Sequence, residues 1–131
     1  MPEFKDLLQS ADWNKEKHVP VIESPDRIKK GEAFKISVSV GKAIAHPNTT
    51  EHHIRFVEVY FLPEGEKFPP EVGRVEFASH GESIQGPNAS TMYTLPEAVF
   101  SFKSDKSGTI FAISSCNIHG LWQNSKVIEI A

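Results

Sequence analysis

The sequence predicts an all-β protein built as an antiparallel β-sandwich. Three observations lead to this fold class. Phe34, Ile36, Val38 and Val40 alternate with polar residues, which is the pattern of a half-buried strand. Several other short segments are rich in β-branched and aromatic residues and are separated by clusters of Gly, Pro, Asn and Ser. Helical periodicity is weak along the whole chain, so six or seven short strands are expected.

The elements follow in order along the chain. Residues 2–9 are predicted to form one short helix. The first strand covers residues 34–40, and the next covers residues 53–62 and ends at Pro63-Glu64-Gly65. Further strands are expected at residues 73–79, 92–94, 99–103, 109–115 and 126–130. Irregular segments are expected at residues 16–20, 42–51 and 117–124.

Length and composition limit the possible functions. The 131 residues fit one domain with a hydrophobic core of its own. The net charge of −3 argues against a nucleic-acid-binding protein, which normally carries a basic surface. The longest apolar run, residues 57–62, is interrupted by Glu58 and is too short to cross a membrane. The first ten residues have no apolar signal core, so a cytoplasmic location is expected.

Five residues with metal-ligand chemistry lie on the three irregular segments or directly beside them. They are His18, His46, His52, Cys116 and His119. Imidazole suits zinc, copper and iron, and a thiolate adds a soft, strongly donating ligand. Loops on a rigid scaffold are where binding sites commonly lie, so we predict one shared metal site.

The spacing of these residues supports the same interpretation. Cys116 and His119 are three positions apart, which allows one tight turn to present both to a single ion. In such a turn the backbone N–H groups of Ile118 and His119 are predicted to donate to the sulfur. His52 and His53 are adjacent and face opposite sides of an extended backbone, so only one of them is expected to be a ligand.

Each residue also has a simpler interpretation. Cys116 alone would be a small buried hydrophobe. His46 and His52 could be exposed loop residues, and His80 is expected in a turn or on the surface. Residue types and spacing alone therefore leave iron, copper and zinc open.

Five segments resemble the superoxide reductase family, in its one-iron neelaredoxin-type form, which corresponds to the iron-binding domain of desulfoferrodoxin. The segments are residues 16–20 (EKHVP), 46–54 (HPNTTEHHI), 61–65 (FLPEG), 80–83 (HGES) and 116–122 (CNIHGLW). The resemblance implies an immunoglobulin-like sandwich of about seven strands and a single domain over residues 1–131. It also implies no desulforedoxin-like N-terminal domain, because that domain needs four cysteines and Cys116 is the only one.

The resemblance implies a role for each site residue. It implies one mononuclear iron, cycling between Fe(2+) and Fe(3+), with Cys116 as the axial thiolate ligand. Glu16 would be a removable sixth ligand, and Lys17 a cation beside the open face that attracts substrate. The four equatorial imidazoles would be those of His18, His46, His52 and His119.

The activity implied by this resemblance is the one-electron reduction of superoxide to hydrogen peroxide. A rubredoxin-like electron donor and a homotetramer are implied with it. The main alternative is a blue-copper electron-transfer protein, which also carries His and Cys ligands on a β-sandwich. Blue-copper sites usually use a Met after the second His, and no Met follows Cys116. A structural zinc site and a plain immunoglobulin-like binding module are weaker alternatives, and a dismutase would additionally release oxygen.

Overall fold

The computed structural model describes residues 1–131. Its strands form two stacked β-sheets. The strands, numbered in chain order, are β1 (Val21–Glu23), β2 (Arg27–Ile28), β3 (Phe34–Ser39), β4 (Ile54–Pro63), β5 (Glu71–Glu76), β6 (Glu97–Phe102), β7 (Gly108–Cys116) and β8 (Gly120–Ile130). The smaller sheet has the order β1-β3-β6, and the larger has the order β2-β8-β7-β4-β5. Every pair is antiparallel except β2 with β8. The predicted sandwich is therefore confirmed.

The core lies between the two sheets and is formed by the inward positions of the alternating strands. Val38 on β3, Val57 and Val59 on β4 and Ile110 on β7 are completely buried. Burial alternates along β7 at every second residue, as expected for a strand with one covered face. This core forms a single cluster of 17 buried residues, which gives the loops at the sandwich ends a rigid base.

Two local features shape the end of the larger sheet where β7 turns into β8. The register between β4 and β7 shifts between Ile54 and Phe56, so Arg55 is an extra residue opposite β7. The β7–β8 hairpin closes with only three residues between Cys116 and Gly120, which pair with each other. Gly120 has a φ of +80°, a backbone conformation that glycine adopts without steric cost.

Several predicted elements were wrong. The segment 2–9 forms only a 3-10 turn, Phe4–Leu7, with no buried residue, and so short a helix has no packed face to stabilise it. Residues 92–94 form no strand, because only Tyr93 makes an isolated bridge, with His80.

The segment 117–124 is not a loop either: β8 begins at Gly120, since the tight turn lets the chain pair with β7 at once. The short strands β1 and β2 were not predicted, and β5 ends at Glu76 rather than at residue 79. None of the helical segments in the structure has the length and apolar character required to span a bilayer.

Candidate metal centre

Three chain segments meet at the end of the sandwich where β7 turns into β8. The segment before β1 brings His18, the loop before β4 brings His52, and the hairpin turn brings Cys116 and His119. One donor atom from each of these four side chains lies within 4.8 Å of the others. The Nδ1 atom of His119 is 3.2 Å from the Nε2 atoms of both His18 and His52, and 3.8 Å from the Cys116 sulfur. A single ion could therefore contact all four.

His46 adds a fourth imidazole to this cluster. Its ring packs edge-on against the rings of His18 and His52, with centroid distances of 4.7 and 4.8 Å. Its Nδ1 atom lies 2.7 Å from the Pro47 carbonyl oxygen, to which it donates, while its Nε2 atom is buried without a hydrogen-bond partner. A buried nitrogen without a partner is costly unless something binds it. This donor set fits iron, copper or zinc.

Cys116 is fixed by the hairpin that carries it. The residue is 3% exposed, and the backbone N–H of His119 donates to its sulfur at 3.4 Å. The N–H of Ile118, also predicted as a donor, makes no hydrogen bond to the sulfur, so that part of the prediction was wrong. The carbonyl of His119 accepts hydrogen bonds from the side chains of Gln9 and Trp122 at 2.8 and 3.2 Å. These contacts hold the turn in one conformation.

His18 is held on three sides. The hydroxyl of the fully buried Ser114 donates to the His18 carbonyl at 2.9 Å, which ties the segment to β7. The indole of Trp122 stacks on the His18 ring with a centroid distance of 5.0 Å and an angle of 13°. The Glu16 carboxylate lies 2.6 Å from His18 Nδ1. The ring is therefore oriented before any ion arrives.

The structure places Glu16 and Lys17 at the edge of the cluster. Glu16 contacts the Nδ1 atom of His18, not the Nε2 atom that faces the other ligands, so its carboxylate lies outside the group of converging donors in this conformation. The hydrogen bond from His18 holds the pKa of Glu16 below its ordinary value. Lys17 is half-buried and makes no ion pair, and its charge contributes to lowering the pKa values of His46 and His52.

The histidines of the 42–52 segment are poised to bind a metal. Burial lowers the pKa of His46 to about 4. Burial, followed by the nearby His119, also lowers the pKa of His52. Both rings are therefore neutral near pH 7, which is the form that ligates metal ions.

Sequence reasoning missed Asn117, which joins two of the three segments. Its side-chain oxygen accepts the backbone N–H of His53 at 2.9 Å, and its amide donates to the Glu51 carbonyl at 2.9 Å. Its own backbone N–H donates to the His53 carbonyl at 3.1 Å. The only sequence signal is the position of a polar amide directly after a candidate ligand in a tight turn, where such side chains often bind backbone groups.

Sequence reasoning also missed Asn88, which supports the loop that carries His52. The loop between β5 and β6 supplies Asn88, whose side-chain oxygen accepts the Thr50 backbone N–H at 2.7 Å. The Thr50 hydroxyl in turn donates to the His80 carbonyl at 3.0 Å. Asn88 has a φ of +61°, in the left-handed region that asparagine tolerates better than most residues. The His52 loop is thus fixed from both sides.

His53 and His80 lie outside the cluster, and His80, which was expected in a turn or on the surface, is buried. His53 and His80 are 9% and 5% exposed, and their rings stack with centroids 3.5 Å apart and 7° between the planes. His53 is turned away from the donors because its Nδ1 atom bonds the Thr49 carbonyl. The pair forms a buried support beneath the His52 loop.

Comparison with known proteins agrees with this geometry. The family model described as Desulfoferrodoxin matches residues 10–125. The chain is 57% identical over 126 residues to the superoxide reductase of Pyrococcus furiosus, covering 96% of this chain and 99% of that protein. It is 51% identical over 125 residues to neelaredoxin of Megalodesulfovibrio gigas, covering 95% of this chain and 96% of that protein.

Solved structures give the same result. The superoxide reductase (neelaredoxin) from Archaeoglobus fulgidus in the reduced form superimposes with a TM-score of 0.88 at 58% sequence identity. The match covers 94% of this chain and 98% of that chain.

A β-sandwich whose loops gather four imidazoles and one thiol at one end is a metal-binding protein. The family match and the two sequence relatives then show which family it belongs to. The chain belongs to the desulfoferrodoxin family, which includes the superoxide reductases and neelaredoxins.

Proposed function

We propose that this protein is a superoxide reductase with one iron bound by four imidazoles and one thiolate. The observation that carries the proposal is the convergence of the His18, His52, Cys116 and His119 donors, with the unpartnered Nε2 atom of His46 beside them. Zinc in a structural site is satisfied by four ligands, so a fifth donor favours iron. The family relationship supports the same choice.

The proposed reaction joins one superoxide, one electron and two protons to give hydrogen peroxide. The bound iron would supply the electron and an electrophilic position for the anion. Cys116 would bind as the electron-rich thiolate, and the hydrogen bond from the His119 N–H moderates the charge on its sulfur. The exposed edge of His119 leaves the site open to water, which can deliver both protons.

Lys17 attracts the anionic substrate in this proposal. The whole chain carries a net charge of −3, so long-range attraction of superoxide requires a local positive field. Lys17 is half-buried beside the cluster and is not neutralised by an ion pair. Its ammonium group can therefore act on an approaching anion.

Glu16 would be a further, removable ligand of the bound iron in this proposal. Its side chain is 32% exposed and lies two residues before His18, so a change of rotamer is possible without unfolding the segment. The rubredoxin-like donor, the homotetramer and the cytoplasmic location are proposed on the family resemblance alone.

The test begins with anaerobic loading of the protein with ferrous iron. Superoxide consumption is then measured together with the peroxide and oxygen produced. The proposal expects peroxide without stoichiometric oxygen, and a ferric–thiolate absorption band that bleaches on reduction. Equal yields of peroxide and oxygen would instead indicate a dismutase, and tight binding of copper with no iron bound would favour the electron-transfer alternative.

Two adjacent histidines provide a matched pair of variants. His52→Ala removes a converging donor, and it should lose iron and activity. His53→Ala alters a neighbouring ring whose Nδ1 atom binds Thr49, and it should retain iron at similar stoichiometry. Full iron content in His52→Ala would contradict the proposed ligand set.

A further inference from the structure

Both hydrogen bonds to the Glu16 carboxylate come from one residue. Its Oε1 atom lies 2.6 Å from His18 Nδ1 and accepts the His18 backbone N–H at 3.1 Å. The ring contact is largely shielded, because the His18 side chain is only 6% exposed. Lys15 and Lys17 flank Glu16 in sequence, and neither makes an ion pair with it. The carboxylate is therefore docked on His18 specifically.

This contact distinguishes His18 from the other three imidazoles. Since an ionised carboxylate only accepts hydrogen bonds, the proton of the His18 ring must lie on Nδ1. The lone pair is then on Nε2, the atom that faces His119 Nδ1 at 3.2 Å. His46 also donates from Nδ1, but to the neutral carbonyl of Pro47. Charge-assisted hydrogen bonds are roughly twice as strong as neutral ones, so His18 is the imidazole most strongly polarised.

We propose that Glu16 is a positioning residue for His18 whenever its carboxylate is not on the metal. The inference rests on the proposed function, which gives Glu16 a second position as sixth ligand. The two positions exclude each other. Nδ1 and Nε2 lie on opposite edges of the ring, so a carboxylate bonded to Nδ1 points away from an ion bonded to Nε2. Glu16 could therefore orient His18 or ligate the metal, but not both at once.

The docked position has a physical consequence for His18. While Glu16 is docked, the ring is held at its edge by the carboxylate and on its face by Trp122, and its donation through Nε2 is strengthened. A Glu16 carboxylate that ligated the metal would give up this contact, and His18 would lose that support.

The test uses the reduced, iron-loaded protein and proton NMR. Ring N–H protons of metal-bound imidazoles give hyperfine-shifted signals that disappear in D2O. In Glu16→Ala, one of these signals should exchange with solvent roughly tenfold faster or more, because its charged acceptor is gone. In Glu16→Gln, the same signal should persist with a changed shift, since the amide oxygen still accepts a hydrogen bond. The signal from His46 serves as an internal reference.

The matched control is Glu129→Ala, which removes an exposed carboxylate that pairs with Arg27 on the β2–β8 pair and contacts no ring nitrogen. All shifted signals should be unchanged in this control. The inference is overturned if Glu16→Ala leaves every signal unchanged, or if Glu16→Gln gives no rescue. Failure of the proposed function is a separate result, because it would show as an iron-loaded native protein that does not reduce superoxide.

Discussion

Replacing Asn117 with alanine should weaken both the fold and the metal site. The substitution removes two hydrogen bonds of 2.9 Å, one from the His53 N–H and one to the Glu51 carbonyl. His53 is 9% exposed, so its N–H would lose its partner with little access to water, whereas Glu51 is exposed and its carbonyl can be hydrated. Leaving one buried donor unpaired and losing one net bond together cost about 2–3 kcal/mol.

Urea unfolding of the metal-free protein measures the first effect. With a denaturant dependence of about 2 kcal/mol per molar, the midpoint should fall by about 1–1.5 M. Competition with a chelator measures the second effect. Residues that orient metal ligands typically change affinity by about 10- to 100-fold, and a similar loss is expected because Asn117 joins the segments carrying His52 and Cys116.

Two further variants make this prediction specific. Asn117→Asp keeps the acceptor for the His53 N–H and loses only the donor to Glu51, so it should fall between the native protein and Asn117→Ala. Asn14→Ala removes an exposed amide that binds Asp12 within its own turn, and its stability should stay within about 0.5 kcal/mol of native. If Asn117→Ala matched Asn14→Ala in both assays, the hydrogen bonds from Asn117 to His53 and Glu51 would have no energetic role.

Three other predictions follow from single residues. Lys17→Ala should lower the second-order rate constant for superoxide at low salt by roughly threefold to tenfold and should flatten its salt dependence. Pulse radiolysis measures both effects. An unchanged rate constant at low salt would refute electrostatic attraction of superoxide by Lys17. In the metal-free protein, His46 has its pKa lowered to about 4, so the unfolded state binds a proton that the folded state excludes. Stability should then fall as pH drops from about 6.5 to 4, by roughly 3 kcal/mol at most, and His46→Gln should remove much of this slope in urea titrations. Gly108→Ala should lower the unfolding midpoint, because a Cβ there would overlap the Leu62 carbonyl oxygen; an unchanged midpoint would show that the β4–β7 pairing can relax.

Strands β3, β4, β6 and β7 could be predicted from the sequence because buried residues recur along one face of each. Burial on alternate residues produces the pattern seen in β3 and along β7. The two- and three-residue strands β2 and β1 are too short to show a period. The first half of β8 carries Gln123 and Asn124 and looks like a loop, yet it pairs with β7 because the hairpin turn has only three residues. Pairing across a tight turn outweighed local composition there.

The candidate site was predictable in its residue types and not in its supports. His and Cys are rare enough that their position on loops stands out in a short sequence. Asn117, Asn88 and Ser114 act through backbone groups far along the chain, and polar residues of these types occur in most loops. Nothing in their spacing identifies their partners. Their role becomes visible only when the segments are placed side by side.

The adjacent residues His52 and His53 show how the scaffold selects a ligand. Extended backbone puts the two rings on opposite sides, but it does not decide which side faces the metal site. Asn117 decides it by binding the His53 N–H and the Glu51 carbonyl, while the His53 ring is held by Thr49 and stacks on His80. Only His52 is then left facing His119, at 3.2 Å. Because Asn117 both orients His52 and joins the two loops, the stability of the fold and the affinity for metal should decline together when its side chain is removed.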